Sequence, residues 1–368
     1  MTRAIVAALA TATIALAGCG GASEDEPASV AATSPSEFEI AVDPRVELMS
    51  ILFRLAGAQP YGEAATPYAL AADEHFSAAS DHPAVTESAE LVRANGISYD
   101  AVAELAAYVD ESFEPAARLD PLPPGLDPRW DGVDIESYFA EVRRFAAEAD
   151  FAAFQDSQSA YHEKVEAAFT SFLAGKPVID FFDAAFGPIE EASYRVAPGL
   201  LTGGFGFGTT AVLPTGTEVA GIAFLEAPDS DGVPHPTTRS LEFLVHEFAH
   251  SYVNPIFDTR TGVMRASAEP LFREVEQQMR EQAYATYPIM VNESVVRALT
   301  VIYLRERVGE AAAEASLAEQ GRLGFFWTAE LVAAIEVELE RTGRLEPSAL
   351  VRLTQEVLSA SSRARSAS

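Results

Sequence analysis

The chain has 368 residues, of which 48% are hydrophobic and 22% charged, so it has material for a large core in one or two domains. Its 55 acidic residues outnumber 25 basic ones and give a net charge of −30. This excess argues against nucleic-acid binding, because a phosphate backbone needs a basic face. It also argues against docking on an anionic membrane surface. One cysteine excludes a disulfide framework and a cysteine-rich metal site.

The N-terminal residues have the pattern of an export signal. Arg3 precedes an uninterrupted run of apolar and small residues over 4–17, which is too short for a permanent transmembrane helix. The run ends in the sequence LAGC, which is similar to the lipobox of bacterial lipoproteins. We therefore predict a signal peptide over residues 1–19 and lipidation of Cys19, with several acyl chains forming the anchor. An ordinary signal peptide with a chance cysteine is the alternative.

The predicted destination is the cell envelope, with the outer membrane facing the periplasm favoured over the inner membrane. Residues 20–36 are rich in Gly, Ser, Ala, Pro and acidic residues, which predicts a flexible tether. Structure is expected to begin near Phe38 with a short strand over residues 38–42. Asp43 and Pro44 then favour the start of a helix that ends at Gly57. Apolar residues at helical spacing predict further helices over 85–95, 99–109, 135–145 and 154–172.

The hydrophobic period changes after Gly187. Alternating residues predict strands over 193–197, 209–213 and 218–225, and the chain is expected to be helical from Thr237 onward. The glycine-rich run over 203–208 matches neither a dinucleotide-binding nor a P-loop fingerprint, so we interpret it as a hairpin or flap. The prediction is an α+β fold, predominantly helical, with a small antiparallel sheet before the active helix. A helical N-terminal part would span 37–187 and a catalytic part 188–362.

One stretch, LEFLVHEFAH over residues 241–250, contains residue types that can bind a metal ion and transfer a proton. Its apolar residues share one helical face, so the HExxH motif is expected on a mostly buried helix. His246 and His250 project from the same side and could bind one zinc ion at ~2.0–2.1 Å each. Glu247, one residue further on, could serve as general base toward a water molecule. Two core histidines paired with a local acid are the alternative.

A catalytic zinc ion needs a third protein ligand. A metzincin is excluded, because Val253 and Ile256 stand where its glycine and last histidine would be. We favour Glu293, since a single carboxylate on an apolar helix is costly to bury without a charged partner. That partner could instead be Arg297, one turn further on. Four other acidic residues remain as rival ligands: Asp258, Glu269, Glu274 and Glu276.

The sequence HEFAHSYVNP, followed by Asn292, Glu293 and Arg297, resembles gluzincin-type zinc metallopeptidases. After the tether, the whole chain is similar to an uncharacterised, zincin-like family of bacterial exported lipoproteins. The segments over residues 43–45 and 81–85 belong to that likeness. The resemblance implies one Zn²⁺ ion per chain and hydrolysis of a peptide or protein substrate.

Phenols or cations near the metal could stabilise a developing oxyanion. The candidates are Tyr252, Tyr284, Tyr287, Arg297 and His235. The sequence thus predicts a lipid-anchored, extracytoplasmic zinc metallopeptidase. The competing class is a non-catalytic zinc-binding or structural envelope lipoprotein that retains the zincin-like fold. The presence of Glu247 argues against zinc storage, because a storage site has no use for a base.

Overall fold

The computed structural model describes residues 38–123, 125–223 and 232–366. The predicted signal peptide, the tether and Cys19 lie outside these residues, as do the last two residues of the strand predicted to end at Leu225. Within the described ranges, no helix combines the length and apolar character needed to cross a membrane.

Helices dominate the part of the chain before the main strands. The first begins as predicted, with Pro44 in its first turn and the Asp43 side chain accepting a hydrogen bond from the Arg45 N–H. Two of these helices were not predicted, the second and the seventh. The seventh is a short apolar segment, and periodicity alone does not separate such a helix from a buried strand. The helices are α1 (Pro44–Leu55), α2 (Pro67–Phe76), α3 (Pro83–Asn95), α4 (Asp100–Ala106), α5 (Ile135–Glu148), α6 (Phe151–Leu173) and α7 (Val178–Phe186).

Four strands form one small sheet in the order β1-β2-β4-β3. They are β1 (Glu39–Ile40), β2 (Ala192–Pro198), β3 (Phe207–Leu213) and β4 (Gly216–Ala223). The sheet is mixed: β1 and β4 both run parallel to β2, and only β3 and β4 are antiparallel. The α+β, predominantly helical class is confirmed, but the prediction of an antiparallel sheet is wrong.

The connection between β2 and β3 explains this difference. β4 lies between these two strands, so the glycine-rich run does not form a hairpin between neighbours. Instead, this run crosses from the end of β2 to the far edge of the sheet. There β3 begins and runs antiparallel to β4. Alternation of side chains specifies which face of a strand is buried, but it does not specify which strands pair.

The remaining chain is helical, as predicted. The helix that carries HExxH begins with a capping box in which Thr237 and Ser240 bond each other's backbone N–H groups. It packs against the sheet on one side and against the tenth helix on the other. The six helices are α8 (Thr238–Asp258), α9 (Thr261–Glu281), α10 (Tyr287–Arg307), α11 (Glu310–Arg322), α12 (Thr328–Thr342) and α13 (Pro347–Ser366).

The two predicted parts of the chain share one hydrophobic core. β1 belongs to the N-terminal part, yet it pairs with β2 of the second part. Phe38, at the start of the described chain, stacks on Phe248 of α8 with ring centroids 5.3 Å apart. The N-terminal part of the chain therefore contacts the helix that carries HExxH directly.

Candidate metal centre

The structure brings His246, His250 and Glu293 together between α8 and α10. The two imidazole Nε2 atoms lie 3.2 Å apart. The Glu293 carboxylate lies 3.5 Å from the His246 Nε2 atom and 3.3 Å from the His250 Nε2 atom. Among the described residues, this is the group of three potential ligands with atoms all within 4.8 Å of one another. The proximity predicted for Glu293 is thus present.

These separations fit one shared cation. Ligand atoms at about 2.0–2.2 Å from a zinc ion and at tetrahedral angles lie about 3.3 Å from each other. Two imidazole nitrogens and one carboxylate oxygen also form a common donor set for catalytic zinc, which leaves a fourth position open. Glu293 Oε2 is buried, and among the described residues its contacts with Arg297 and His246 are ion pairs rather than well-aligned hydrogen bonds, so a lone pair remains for a cation.

Charged neighbours determine the ionisation of Glu293. Burial alone would raise the pKa of this carboxyl group, but its interactions with the His246 imidazole, the Arg297 guanidinium and the His250 imidazole lower it well below its usual range. Arg297, one turn further along α10, places its Nη2 atom 3.1 Å from Glu293 Oε2. The buried carboxylate is therefore an anion, which is the form that binds a metal ion.

Arg297 is itself held in place. Its Nη2 atom donates to the Tyr284 hydroxyl at 2.8 Å, and its Nη1 atom donates to Gln320 Oε1 at 2.5 Å. The guanidinium also lies 4.5 Å from the centre of the Phe325 ring. These contacts direct Arg297 toward Glu293. The sequence offered a metal ion and Arg297 as alternative charged partners of Glu293, and the site has room for both roles.

The imidazole of His250 is oriented by the next turn of α8. Its Nδ1 atom lies 3.1 Å from Asn254 Oδ1. A proton on Nδ1 satisfies this contact and leaves the Nε2 lone pair directed at the cluster. Because of burial, the pKa of His246 is lowered to about 3. Burial also lowers the pKa of His250, but Glu293 outweighs it and raises the pKa to about 9, so a metal ion would displace the Nε2 proton on binding.

Glu247 lies beside the cluster without belonging to it. Burial raises the pKa of this carboxyl group to about 7, and the positive charge of His250 counteracts only part of that rise. The Glu247 side chain also contacts the backbone of β3 at Gly208. A carboxyl group with a pKa near neutrality is suited to proton transfer.

Two of the predicted oxyanion stabilisers lie elsewhere, which corrects the sequence prediction. Tyr252 follows His246 by six residues, which is about 240° around the helix, and its hydroxyl bonds Asp183 and Tyr194 at 2.7 and 2.8 Å. The Tyr287 hydroxyl donates to the Thr261 carbonyl of α9 at 3.2 Å.

The other three candidates differ in their surroundings. Tyr284 and Arg297 lie beside the cluster, and both are engaged with Glu293 or with each other. His235 is exposed on the segment that leads into α8. The structure therefore leaves Tyr284 and Arg297 as the candidates in contact with the third ligand.

The rival ligands predicted from the sequence are also placed away from the cluster. Each forms a different interaction outside it: Glu269 with Arg273, Glu274 with Arg365, Glu276 with Arg280, and Asp258 with Asn292. None of these four carboxylates belongs to the three-residue group, so among the described residues Glu293 is the acid that lies beside the imidazoles.

Two supporting residues were missed in the sequence. Asn254 follows His250 by four residues, so helical spacing could have identified it. Gln320 comes from α11, and no local pattern connects it with Arg297.

The fold and the site define an α+β protein with a cluster of two partly buried histidines and one buried glutamate on two packed helices. Residues 38–345 match the family described as Domain of unknown function (DUF4932), and the chain belongs to this family. The match includes all three residues of the cluster as well as Glu247. Comparison with curated proteins found no match, and comparison with solved structures found none either.

Proposed function

We propose that this chain is a zinc-dependent peptidase of gluzincin type, with His246, His250 and Glu293 as the metal ligands and Glu247 as the general base. One observation carries the proposal: two imidazole Nε2 atoms lie 3.2 Å apart, each lies 3.3–3.5 Å from an oxygen of the Glu293 carboxylate, and a separate, half-buried carboxylate lies beside them. A structural ion pair needs no second carboxylate, and a storage site needs no base.

Zinc bound at this site would polarise a substrate carbonyl and lower the pKa of a water molecule. Glu247 would take a proton from the attacking water and later deliver it to the leaving amine. His250, oriented by Asn254, and Glu293, oriented by Arg297, would hold the ligand atoms in place. Tyr284 acts with Arg297 in this support.

The peptide substrate would lie along β3. This strand forms one edge of the described sheet and packs on α8 near Glu247. An extended peptide could pair through main-chain hydrogen bonds with the part of this edge near Gly208, since further along β3 the Val212 backbone is already bonded by Tyr108.

The cellular setting is proposed from the sequence. Cys19 would be lipidated and would tether the protein to the envelope, with the outer membrane facing the periplasm as the favoured site. Conversion of Cys19 to Ser should then abolish partitioning into detergent, whereas unchanged partitioning would refute the anchor. The membrane, through this anchor, and a peptide or protein substrate are the proposed partners; nucleic acid is not.

The test of function is hydrolysis by the full-length protein loaded with zinc. A diverse peptide mixture is incubated with the wild-type protein or with Glu247→Gln, and new termini are identified by mass spectrometry. The proposal predicts cleavage by the wild-type protein alone. Zinc binding without any cleavage would instead support the non-catalytic zinc-binding lipoprotein.

A further inference from the structure

Three glycines in the sheet or just before β3 approach α8 very closely. A Cβ atom at Gly206 would lie 2.3 Å from the Phe243 ring, and one at Gly221 would lie 2.7 Å from Leu244 Cδ2. Carbon atoms in favourable contact are about 3.5–4.0 Å apart, so neither position has room for a side chain. The backbone of the sheet therefore touches the helix that carries HExxH.

The closest of these approaches involves Gly208 and Glu247. A Cβ atom at Gly208 would lie 2.3 Å from Glu247 Oε2, 2.8 Å from its Cβ and 3.1 Å from its Cδ. Rotation of the Glu247 side chain could relieve the first contact. It could not relieve the second, because the position of Glu247 Cβ is fixed by the helix backbone.

Backbone conformation does not explain the glycine at this position. Gly208 lies within β3 and is not among the residues with positive φ, so an L-residue could adopt its conformation. Steric exclusion beside Glu247 is the remaining requirement for glycine there.

We propose that Gly208 is the positioning residue for Glu247: its lack of a side chain lets the β3 backbone form the wall that holds this carboxylate beside His246 and His250. This inference rests on the proposed function, because Glu247 is taken as the base. A base held against a rigid strand keeps the orientation that proton transfer requires.

The chain offers a matched control on the neighbouring strand. Gly221 is the cross-strand partner of Gly208 and faces the same helix, but it contacts Leu244 and Phe248 instead of Glu247. Conversion of either glycine to alanine thus disturbs the same sheet–helix interface. Only the change at position 208 displaces the proposed base.

The experiment compares Gly208→Ala and Gly221→Ala in the full-length, zinc-loaded protein. We expect Gly208→Ala to lower kcat about 100-fold, the order expected for misplacement of a reacting group by 1 Å. Its KM and zinc content should stay close to the wild-type values. Gly221→Ala should lower the melting temperature but change kcat only a few fold. Equal losses of kcat in the two variants, or an unchanged kcat in Gly208→Ala, would overturn the inference.

A second measurement keeps the test independent of catalysis. Glu247→Gly removes Oε2, Cδ and the fixed Cβ, so Gly208→Ala should lower the melting temperature less in that background than in the wild-type protein. If Gly208→Ala alone does not fold, adding Glu247→Gly should restore folding. Equal shifts in both backgrounds, or a failure to restore folding, would contradict the inference. A wild-type protein that cleaves nothing would refute the proposed function, and this cycle would still decide whether Gly208 holds Glu247.

Discussion

Two carboxylates buried in different regions of the molecule have opposite surroundings. Glu293, on α10, is 6% exposed and Glu47, on α1, is 0% exposed. Glu293 has two imidazoles and a guanidinium within 3.1–3.5 Å. Glu47 contacts the Leu200 N–H at 3.3 Å and the Tyr68 hydroxyl, both of which are neutral.

The consequence is a difference in charge. Burial raises the pKa of Glu47 to about 8, whereas the cations around Glu293 lower its pKa despite an equal degree of burial. Burial of an acid is therefore not sufficient to indicate a metal ligand. The nature of the neighbouring groups distinguishes a carboxylate that can bind a cation from one that serves as a neutral hydrogen-bonding group.

The largest expected effect concerns Glu247, a third carboxyl group, which is half-buried beside the cluster. Glu247→Gln should lower the rate of hydrolysis by ~10²–10⁴-fold because it removes the base, and it should retain zinc because it removes no ligand. The check is kcat on any peptide that the wild-type protein cleaves, together with zinc content. Glu47→Gln is the control and should leave kcat unchanged. Wild-type activity in Glu247→Gln would refute the assigned role.

The next effect tests the comparison directly through metal affinity. Glu293→Gln should weaken zinc binding more than the ~10–100-fold typical of an outer-shell substitution, because a ligand is lost. Glu47→Gln, although equally buried, should not change zinc affinity. Competition with a chromophoric chelator measures both dissociation constants. Equal affinity in Glu293→Gln and the wild-type protein would exclude Glu293 as a ligand, and unchanged affinity is the expected result for the rival-ligand variant Glu269→Gln.

A smaller loss is expected when the support of Glu293 is removed. Arg297→Met should weaken zinc binding by about 10–100-fold, because the carboxylate loses the guanidinium that orients it. The same chelator competition provides the measurement. Arg305→Met, on the same helix, removes an ion pair with Glu336 that lies away from the cluster and should leave affinity unchanged. Identical dissociation constants for the two variants would show that Arg297 does not position the ligand.

The last effect is on stability rather than on the metal site, and it depends on pH. The folded-state pKa of Glu47 is raised from 4.5 to about 8, so between these values folded Glu47 keeps a proton that the unfolded chain releases. Its contribution to stability is then greatest below the unfolded pKa and falls as pH rises, by up to about 1.4 kcal/mol per pH unit. Glu47→Gln stays neutral. Urea unfolding at about pH 5 and about pH 8 should therefore show a relative gain in stability for Glu47→Gln at the higher pH; a pH-independent difference would contradict a protonated Glu47.

The sequence predicted the parts of the site that local periodicity determines. His246 and His250 are one turn apart on any helix, and Glu293 is a single acid on an apolar helix, so both features are visible without the fold. The role of Gly208 was not visible, because the run around it was interpreted as a turn. The steric reason for the glycines at 206 and 208 is visible only in the structure, where this segment packs on α8.

Strand pairing was the main error in the predicted fold. The segments that form β2, β3 and β4 were located within a few residues, but their order depends on contacts distant in sequence. β1 shows the same limit: the predicted strand near Phe38 joins a sheet whose other strands lie more than 150 residues further on. Local patterns identify elements, whereas tertiary packing selects their partners.

The central claim is that His246, His250 and Glu293 bind one zinc ion, and metal analysis tests it most directly. The full-length protein is purified in detergent, equilibrated with zinc, freed of excess metal by gel filtration and analysed by mass spectrometry of the element. We predict about one zinc ion per chain in the wild-type protein and in Glu247→Gln, the stoichiometry of a single three-ligand site. His246→Ala and Glu293→Gln should contain almost none. A wild-type protein without zinc, or a zinc content unchanged by these two substitutions, would contradict the account.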